Sequence, residues 1–265
     1  MPAIDSGRQR ARLSRAHLDV VNHVLRGVDV PAESADAELE LVEAELLIEG
    51  RPLAFLAELT SQLTQAQVSV DVEIAGRDGF STHGAVISAD TCWTMSGWPR
   101  TTEQEYALLD QRLLPTWLAA TLGLRTEGAS ESEEDLETVL GALDAALLER
   151  GLAEARAISS DLDDPLPTTV SALADLPAIS TRLAQVLAFE RRAWRVTCSW
   201  REEDGIGVAA LAVIDAGPQG LWQRVLPAAP IGPEPLAPTT LVRFHRLSPS
   251  EVFHAVGSLV SSRRN

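Results

Sequence analysis

Two regions of the chain alternate hydrophobic and polar residues with a period of two. In the first, Val70 and Val72 alternate with Asp71 and Glu73, and residues 194–201 repeat this pattern in the second. Such alternation is typical of β-strands that bury one face and expose the other. Because each region continues into turn residues and further apolar runs, we predict four strands in each. The predicted strands lie at 68–74, 81–88, 91–97, 106–110, 194–201, 207–215, 221–226 and 240–246.

Other regions place hydrophobic residues three and four positions apart, which is the spacing of one helical face. The predicted helices lie at 18–27, 38–50, 53–64, 115–124, 132–151 and 173–189, and a last one begins at 249. We expect Ser132 to cap the helix at 132–151, with acidic residues in its first turn, and Gly151 to end it. Ser248, Pro249 and Glu251 form a capping-box sequence at the start of the last helix.

The order of these elements repeats along the chain. Each half runs from helices through three antiparallel strands and a weaker fourth strand to a helix that starts with proline, and Trp93 and Trp222 fall in the third strand of each half. The segment RLLPT at 112–116 also resembles RLSPS at 246–250. We therefore predict one α+β domain, an antiparallel sheet with flanking helices, whose two similar halves are related by a pseudo-two-fold axis. The predicted domain covers 1–265, its halves 34–125 and 131–265, and an acidic linker 125–134.

Composition restricts the classes of partner. The chain has 265 residues and a formal net charge of −16, which disfavours nucleic acid and anionic membrane surfaces. It has no apolar stretch long enough to span a membrane and no signal sequence, so we expect a cytoplasmic protein without membrane insertion. Four arginines near the start are expected to lie in a solvated tail or a first helical turn, and an anion-binding arm is the alternative. These are Arg8, Arg10, Arg12 and Arg15.

The sequence contains no recognisable catalytic or metal-binding motif. Its 22 basic residues are all arginine, which excludes Schiff-base chemistry and the P-loop lysine. The five histidines lack the spacing of a helical zinc site. Cys92 and Cys198 form no metal or redox pair in the sequence, and whether they meet in a disulfide is left open. We therefore predict no enzymatic activity, no metal and no cofactor.

Tryptophan and arginine supply the candidate residues for a partner surface. Six tryptophans accompany one tyrosine, and most of them are expected to pack in the core. Tryptophan and arginine are enriched among the residues that anchor interfaces. Two short segments place these types together, and their candidate partner-binding residues are Trp98, Arg100, Trp200 and Arg201.

The organisation of the chain from about Leu39 onward resembles the EspG family, the chaperones of actinobacterial type VII (ESX) secretion systems. The segments that carry the resemblance are 68–98, Leu113-Pro115-Trp117, 195–200, 212–215 and Gly220-Leu221-Trp222. The resemblance implies the pseudo-two-fold α+β fold of that family. It also implies a cytosolic chaperone without enzymatic activity, which binds the tip of a helical-hairpin secretion substrate (PE–PPE or WXG-type) and keeps it soluble before export. It identifies no individual binding residue.

Three hypotheses for the function are open at this point. A substrate-binding chaperone predicts an exposed apolar or Trp/Arg patch and no deep polar pocket, and it allows a homodimer. A small-molecule-binding or enzymatic domain predicts a cavity of roughly several hundred Å³ with convergent polar groups. A scaffolding protein would self-associate through a sheet edge. Because no catalytic set of His, Cys or Asp is recognisable, we favour the chaperone.

Overall fold

The computed structural model describes residues 2–76, 79–88, 91–98, 101–124, 134–160, 166–225 and 236–261. The strands are β1 Ala3–Asp5, β2 Arg10–Ser14, β3 Leu47–Ile48, β4 Arg51–Pro52, β5 Val68–Gly76, β6 Gly79–Ser88, β7 Thr91–Gly97, β8 Glu103–Leu109, β9 Asp135–Val139, β10 Arg192–Glu202, β11 Gly205–Asp215, β12 Leu221–Arg224 and β13 Leu241–Leu247. The helices are α1 Arg15–Leu25, α2 Ala35–Glu43, α3 Ala54–Thr64, α4 Leu114–Thr121, α5 Leu140–Ser160, α6 Leu166–Ala174, α7 Thr181–Ala188 and α8 Pro249–Ser261.

One large antiparallel sheet organises the described residues. Its eleven strands lie in the order β1-β2-β8-β7-β6-β5-β10-β11-β12-β13-β9. The order is nearly symmetric about the central pair, β5 and β10. Strands β5 to β8 follow one another outward on one side and β10 to β13 on the other, and each series is then joined by strands from the start of its half. Val72 pairs with Val196 at the middle of this antiparallel pair. The predicted α+β fold, with one antiparallel sheet and two similar halves, is therefore confirmed.

The symmetry extends to individual positions in the strands. Counted outward from the central pair, Trp93 on β7 and Trp222 on β12 occupy equivalent positions, and both are buried. The next strands outward, β8 and β13, bond to their outer neighbours in the same way. The Leu108 amide donates to the Gln9 carbonyl (3.1 Å), and the equivalent Arg246 amide donates to the Glu134 carbonyl (2.9 Å). Strand β2 thus corresponds to β9. The division into halves at 34–125 and 131–265 stays a prediction, and this correspondence leads us to propose that the first half begins near residue 9.

The helices cover the two faces of the sheet differently. Helices α4 and α8 pack over the centre of one face, which we call the closed face, against Val70, Val72, Val196 and other buried residues of β5 and β10. On the other face, the open face, α1–α3 cover the strands of the first half and α5–α7 those of the second. The helices of the open face therefore lie toward the two ends of the strand order, and the central strands lie between them.

The prediction for the four arginines at the beginning of the chain was right for Arg15, which opens the first turn of α1, and wrong for Arg10 and Arg12. Residues 3–14 contain strands β1 and β2, which extend the sheet beyond β8, and not a solvated tail or a helical turn. On β2, Ala11 and Leu13 are buried, while Arg10 and Arg12 alternate with them and point to the opposite face. Arg10 and Arg12 form ion pairs of 3.2 and 3.1 Å with Glu105 and Glu103 of β8. Pairing with β8 thus gives this basic segment both acidic partners for its arginines and a buried site for its apolar residues.

The acidic segment before α5 forms a strand, and its predicted helix was wrong. Residues 135–139 form the edge strand β9, and the helix begins only at Leu140 and continues through Gly151 to Ser160. Pairing with β13 outweighs the local preference of the acids for a helix start, and the buried Thr138 hydroxyl donates to the Ala178 carbonyl (2.9 Å). Ser132, which we predicted as the cap, lies outside the described residues, as does Glu133.

Two other predicted helices differ in extent. The helix predicted at 173–189 is two helices, because Pro177 cannot donate a helical hydrogen bond and Ser180 caps α7, its hydroxyl accepting from the Leu183 amide (3.1 Å). The helix predicted at 38–50 ends at Glu43, and a short β3–β4 hairpin follows.

The predicted capping box and the question of the cysteines are both resolved by the structure. The Glu251 carboxylate accepts from the Ser248 amide (2.7 Å), and the Ser248 hydroxyl accepts from the Glu251 amide (3.2 Å). Cys92 on β7 and Cys198 on β10 are buried, and neither is part of a disulfide. Three strand spacings separate them, about 14 Å, which is too far for a disulfide.

The packing of β13 under α5–α7 predicts a large effect of one core substitution. Phe244 is 1% exposed and pairs with Leu136 of β9, whereas Phe253 on α8 is 39% exposed. We expect Phe244→Ala to lower the free energy of unfolding by about 3–5 kcal/mol, because it leaves a cavity in the core. Phe253→Ala is the matched control and should cost less than about 1 kcal/mol. Denaturant unfolding measures both, and equal losses would contradict this core assignment.

Candidate partner-binding surface

The centre of the open face forms a groove that the described helices leave uncovered. Its volume is about 460 Å³. Its floor contains three alanines from neighbouring strands, Ala75 of β5, Ala193 of β10 and Ala212 of β11. The side chains of Leu143 and Leu147 on α5 form one wall. We call this feature the central groove.

The floor of the central groove is low because its residues are small. Alternation along β5 and β10 places Val72 and Trp194 on the closed face, and leaves Ala75 and Ala193 on the open face next to the charged pair Glu73 and Arg195. Alanine has no side chain beyond Cβ, so a second surface can approach the backbone of the sheet closely. The tip of the β5–β6 hairpin adds Phe80, which is 66% exposed and lies at the rim of the groove.

Exposed leucines extend this apolar surface along α5. Leu147, Leu148 and Leu152 are 40%, 68% and 43% exposed. A helix that packs on a core normally turns its apolar stripe inward and its polar residues outward. Leu147 lines the groove, whereas Leu148 and Leu152 lie further round α5, so the exposed apolar surface of the helix continues from the groove wall onto its outer side.

Charged side chains surround the apolar floor. Glu73 on β5 lies directly across from Arg195 on β10, and both are exposed. On the wall, Arg150 and Glu190 form an ion pair of 2.6 Å. Crowding by the surrounding strands, and then the negative charge of Glu73, raise the pKa of Asp71 on the same face. The groove thus combines an apolar centre with charges of both signs at its margin, as protein interfaces do.

The structure does not bring the four sequence-predicted residues together. Trp98 is 38% exposed at the end of β7, where the Arg12 guanidinium lies 5.2 Å from the ring centroid. Trp200 packs partly buried against the closed-face core, and its Nε1 donates to the Glu202 carboxylate (2.8 Å). Trp98 and Trp200 lie near opposite ends of the sheet, about 20 Å apart along the strands.

The other two predicted residues also lie apart from the groove. Arg201 is exposed on the open face, but it lies near the opposite end of β10 from Ala193. Arg100 lies outside the described residues. Sequence analysis missed the groove residues because isolated alanines in strands carry no motif. Two signals could have found them: alanine at the polar positions of β5 and β10, and the adjacent pair Leu147-Leu148 at one edge of the α5 stripe.

A second concavity lies on the closed face. It encloses about 690 Å³ between the end of α4, the start of α8 and the strand ends, and three arginines line it together with His83 and Asp215. A cavity of this size and polarity is what the small-molecule hypothesis required, and the chaperone hypothesis did not anticipate it. Burial lowers the pKa of His83, and its Nδ1 lies 3.1 Å from the Ser96 hydroxyl.

Two further observations bear on the sequence-based predictions. In the part of the chain that the structure describes, no three His, Cys, Asp or Glu side chains cluster closely enough to hold a metal ion. None of the helices described above combines the length and the apolar character that a membrane span requires.

Comparison with known proteins supports the fold and gives no family by sequence. The sequence matches no known protein family, and no curated protein is significantly similar to it. Among solved structures, the fold is similar to that of the Mycobacterium tuberculosis type VII secretion system chaperone EspG5, determined in complex with a PE25-PPE41 dimer. The TM-score is 0.56 at 9% sequence identity, and the match covers 95% of both chains. An identity this low shows a shared fold alone.

The raised pKa of Asp71 predicts a pH-dependent gain in stability on substitution. A carboxyl whose pKa is higher in the folded state binds its proton more tightly there, so its ionisation destabilises the fold as pH rises. We expect Asp71→Asn to raise the melting temperature at pH 7. The gain should disappear below a pH of about 3.9, where the unfolded chain also holds the proton.

Asp204→Asn is the control for this prediction. Both aspartates are exposed, but Asp71 lies in the middle of β5 beside Glu73, whereas Asp204 lies in the turn between β10 and β11. Thermal unfolding of both variants from pH 3 to pH 8 measures the effect. Equal shifts for both variants would mean that only the net charge matters, and would refute the role of local burial.

Proposed function

We propose that this protein is a chaperone that binds the helical tip of a helical-hairpin secretion substrate, of the PE–PPE or WXG type, in the central groove. It holds the substrate soluble in the cytosol until a type VII (ESX) secretion system exports it. The observation that carries the proposal is an uncovered groove in the middle of the sheet, with an alanine floor and with Leu143 and Leu147 in its wall. Binding is the whole activity in this proposal, and no catalytic step is part of it.

The shape of the groove supports a helical partner. A helix with its side chains is about 10–12 Å across, and its apolar face docks in a groove through side chains three and four residues apart. The alanine floor leaves room for such side chains near Ala193 and Ala212, while Leu147 and Phe80 offer apolar contacts on the flanks. The apolar tip of a helical hairpin would otherwise be exposed to water, so burial here lowers its tendency to aggregate.

The charges at the margin support selectivity between partners. Arg195 and Arg224 lie on the floor side of the groove, with Glu73 opposite Arg195. A partner with a complementary pattern gains charge-assisted hydrogen bonds, whereas one that places like charges there is repelled.

The likeness in fold supports the same proposal from a second direction. The EspG5 structure is that of a secretion chaperone with a PE25-PPE41 dimer bound, and its fold matches this chain over nearly the full length of both. The four residues predicted from the sequence remain proposed secondary contacts with the substrate. They are Trp98, Arg100, Trp200 and Arg201. A homodimer through either sheet edge also remains a proposal.

Co-expression tests the proposal. The protein is produced together with helical-hairpin secretion substrates encoded beside its gene, and the purified material is analysed by size exclusion with light scattering. We expect a stoichiometric complex in which a substrate that is insoluble alone becomes soluble. If no hairpin substrate is bound or solubilised, the chaperone proposal is wrong.

Two matched substitutions test the location of the site. Leu147→Asp places a charge in the groove wall, and we expect it to weaken substrate binding about tenfold or more, because a buried carboxylate would lose its hydration. Leu39→Asp on α2 is the control, since Leu39 is 56% exposed, against 40% for Leu147, and lies in the other helical layer. Calorimetry on the purified complex partners measures both affinities.

The same measurement ranks the secondary contacts. Trp98→Ala and Arg201→Ala should each weaken binding less than Leu147→Asp does. A larger loss for either of them, with Leu147→Asp unchanged, would move the binding site away from the central groove.

A further inference from the structure

Three arginines converge on the cavity of the closed face. Arg191 and Arg192 stand at the start of β10, and Arg246 stands near the end of β13. The cavity encloses about 690 Å³ beside the β5–β6 turn, on the face of the sheet opposite the central groove. We call it the arginine cavity.

Each of the three guanidinium groups lies against a glycine of the cavity wall. A Cβ added to Gly123 would lie 2.6 Å from Nη1 of Arg192, one on Gly217 would lie 2.6 Å from Nε of Arg191, and one on Gly220 would lie 3.0 Å from Nε of Arg246. The three glycines also have positive φ angles, of 58°, 56° and 94°. Only glycine combines this backbone conformation with so close an approach, so the wall is shaped around the arginine side chains.

Part of the positive charge of the cavity has a partner. Nε of Arg192 donates to the Asp215 carboxylate (3.3 Å), and its Nη2 donates to the Gly123 carbonyl (2.9 Å). These two bonds fix the guanidinium at the end of α4. Its Nη1 group has no hydrogen-bond partner among the described residues, so donors stay available on the cavity side.

The other two arginines are less fully compensated. The side chain of Arg246 is only 15% exposed, and its ion pair with Glu134 spans 3.7 Å. Its guanidinium also lies 5.9 Å from the ring centroid of Trp222, a residue of the open-face core, so Arg246 borders the cavity with its charge held at the wall. That carboxylate already accepts two hydrogen bonds from Arg182, of 2.9 and 3.0 Å. Arg191 forms no side-chain hydrogen bond or ion pair within the described ranges. A chain with a net charge of −16 thus concentrates positive charge at one concave site, which an anion would compensate.

The remaining lining of the arginine cavity combines apolar side chains with the polar residues Ser81, His83, Thr121 and Asp215. Ile74, Trp194, Leu122 and Leu221 contribute side chains from the strands and from the end of α4. Guanidinium groups recognise carboxylate and phosphate through paired hydrogen bonds, while the apolar wall would hold a hydrocarbon portion. The combination fits a ligand with one charged end and a short apolar body, and the volume is that of ordinary small-molecule sites.

We propose that the arginine cavity binds a small amphipathic anion, a carboxylate or a phosphate monoester with a short hydrocarbon chain. The charged group lies between Arg191 and Arg192, and the chain lies along Ile74 and Leu221. This site is separate from the central groove and does not depend on the chaperone proposal.

Calorimetric titration of the full-length protein tests the proposal. The probes are octanoate, octyl phosphate and inorganic phosphate, with neutral octanol as the control for apolar binding. We expect saturable binding of octanoate or octyl phosphate at one site, and at least tenfold weaker binding of octanol and of inorganic phosphate. The relative affinities of the two octyl compounds distinguish a carboxylate ligand from a phosphate ligand.

Three variants place the bound anion. Arg191→Gln, which removes an exposed side chain, should weaken the octyl anion about tenfold or more, because a charge-assisted bidentate contact is lost. Arg246→Gln should weaken the octyl anion less than Arg191→Gln does, because its guanidinium is held against Trp222 and Glu134. Thermal unfolding shows independently whether this variant folds. Arg195→Gln, an exposed arginine on the open face, is the matched control and should leave the affinity unchanged.

Three results would overturn the assignment. The first is the absence of saturable binding for both octyl anions, and the second is octanol binding as tight as theirs. The third is an equal loss of affinity in Arg191→Gln and in Arg195→Gln. Substrate binding in the groove is measured separately, so either proposal can fail without the other.

Discussion

The pairing of β5 with β10 is the constraint on which the rest of the structure depends. Each half of the chain contributes a short antiparallel sheet whose inner edge would otherwise expose unpaired amide and carbonyl groups. The two edges satisfy one another from Gly76–Arg192 to Val68–Trp200 and make a single sheet. This pair lies on the pseudo-two-fold axis. A helix of one half that packs near the axis therefore contacts the equivalent helix of the other half, as α4 contacts α8.

The two faces of the sheet follow from this arrangement. The helix that ends each half, α4 or α8, packs over the β5–β10 pair. The two helices contact one another there and cover Val72 and Val196 on the closed face. The helical layers that begin each half cover the outer strands of the opposite face. Symmetry keeps those two layers apart, which leaves small side chains such as Ala75 and Ala193 at the bottom of an open groove. The groove is thus a consequence of how two similar units share one sheet.

The proposed sites occupy opposite faces of the same sheet. The central groove offers apolar surface with charges of both signs at its margin, which suits a protein partner. The arginine cavity has more positive than negative side chains, with Asp215 as the acidic partner of Arg192, and part of its wall is apolar, which suits a small amphipathic anion. Phe80, at the tip of the β5–β6 hairpin, borders both of them. The two sites therefore share a structural element although their chemistry differs.

The sequence by itself determined the elements that depend on local patterns. Period-two alternation identified the central strands, Ser248 and Glu251 identified the start of α8, and the repeat with Trp93 and Trp222 identified the two halves, because neighbouring residues carry each of these signals. Only the tertiary structure decided that residues 10–14 and 135–139 are edge strands. Their partners, such as Glu105 for Arg10, lie about a hundred residues away in the chain, and acids before a helix fit a helix start as well as a strand. The candidate sites were likewise decided by the fold, since a groove floor of single alanines and a cavity of scattered arginines exist only once distant strands are brought side by side.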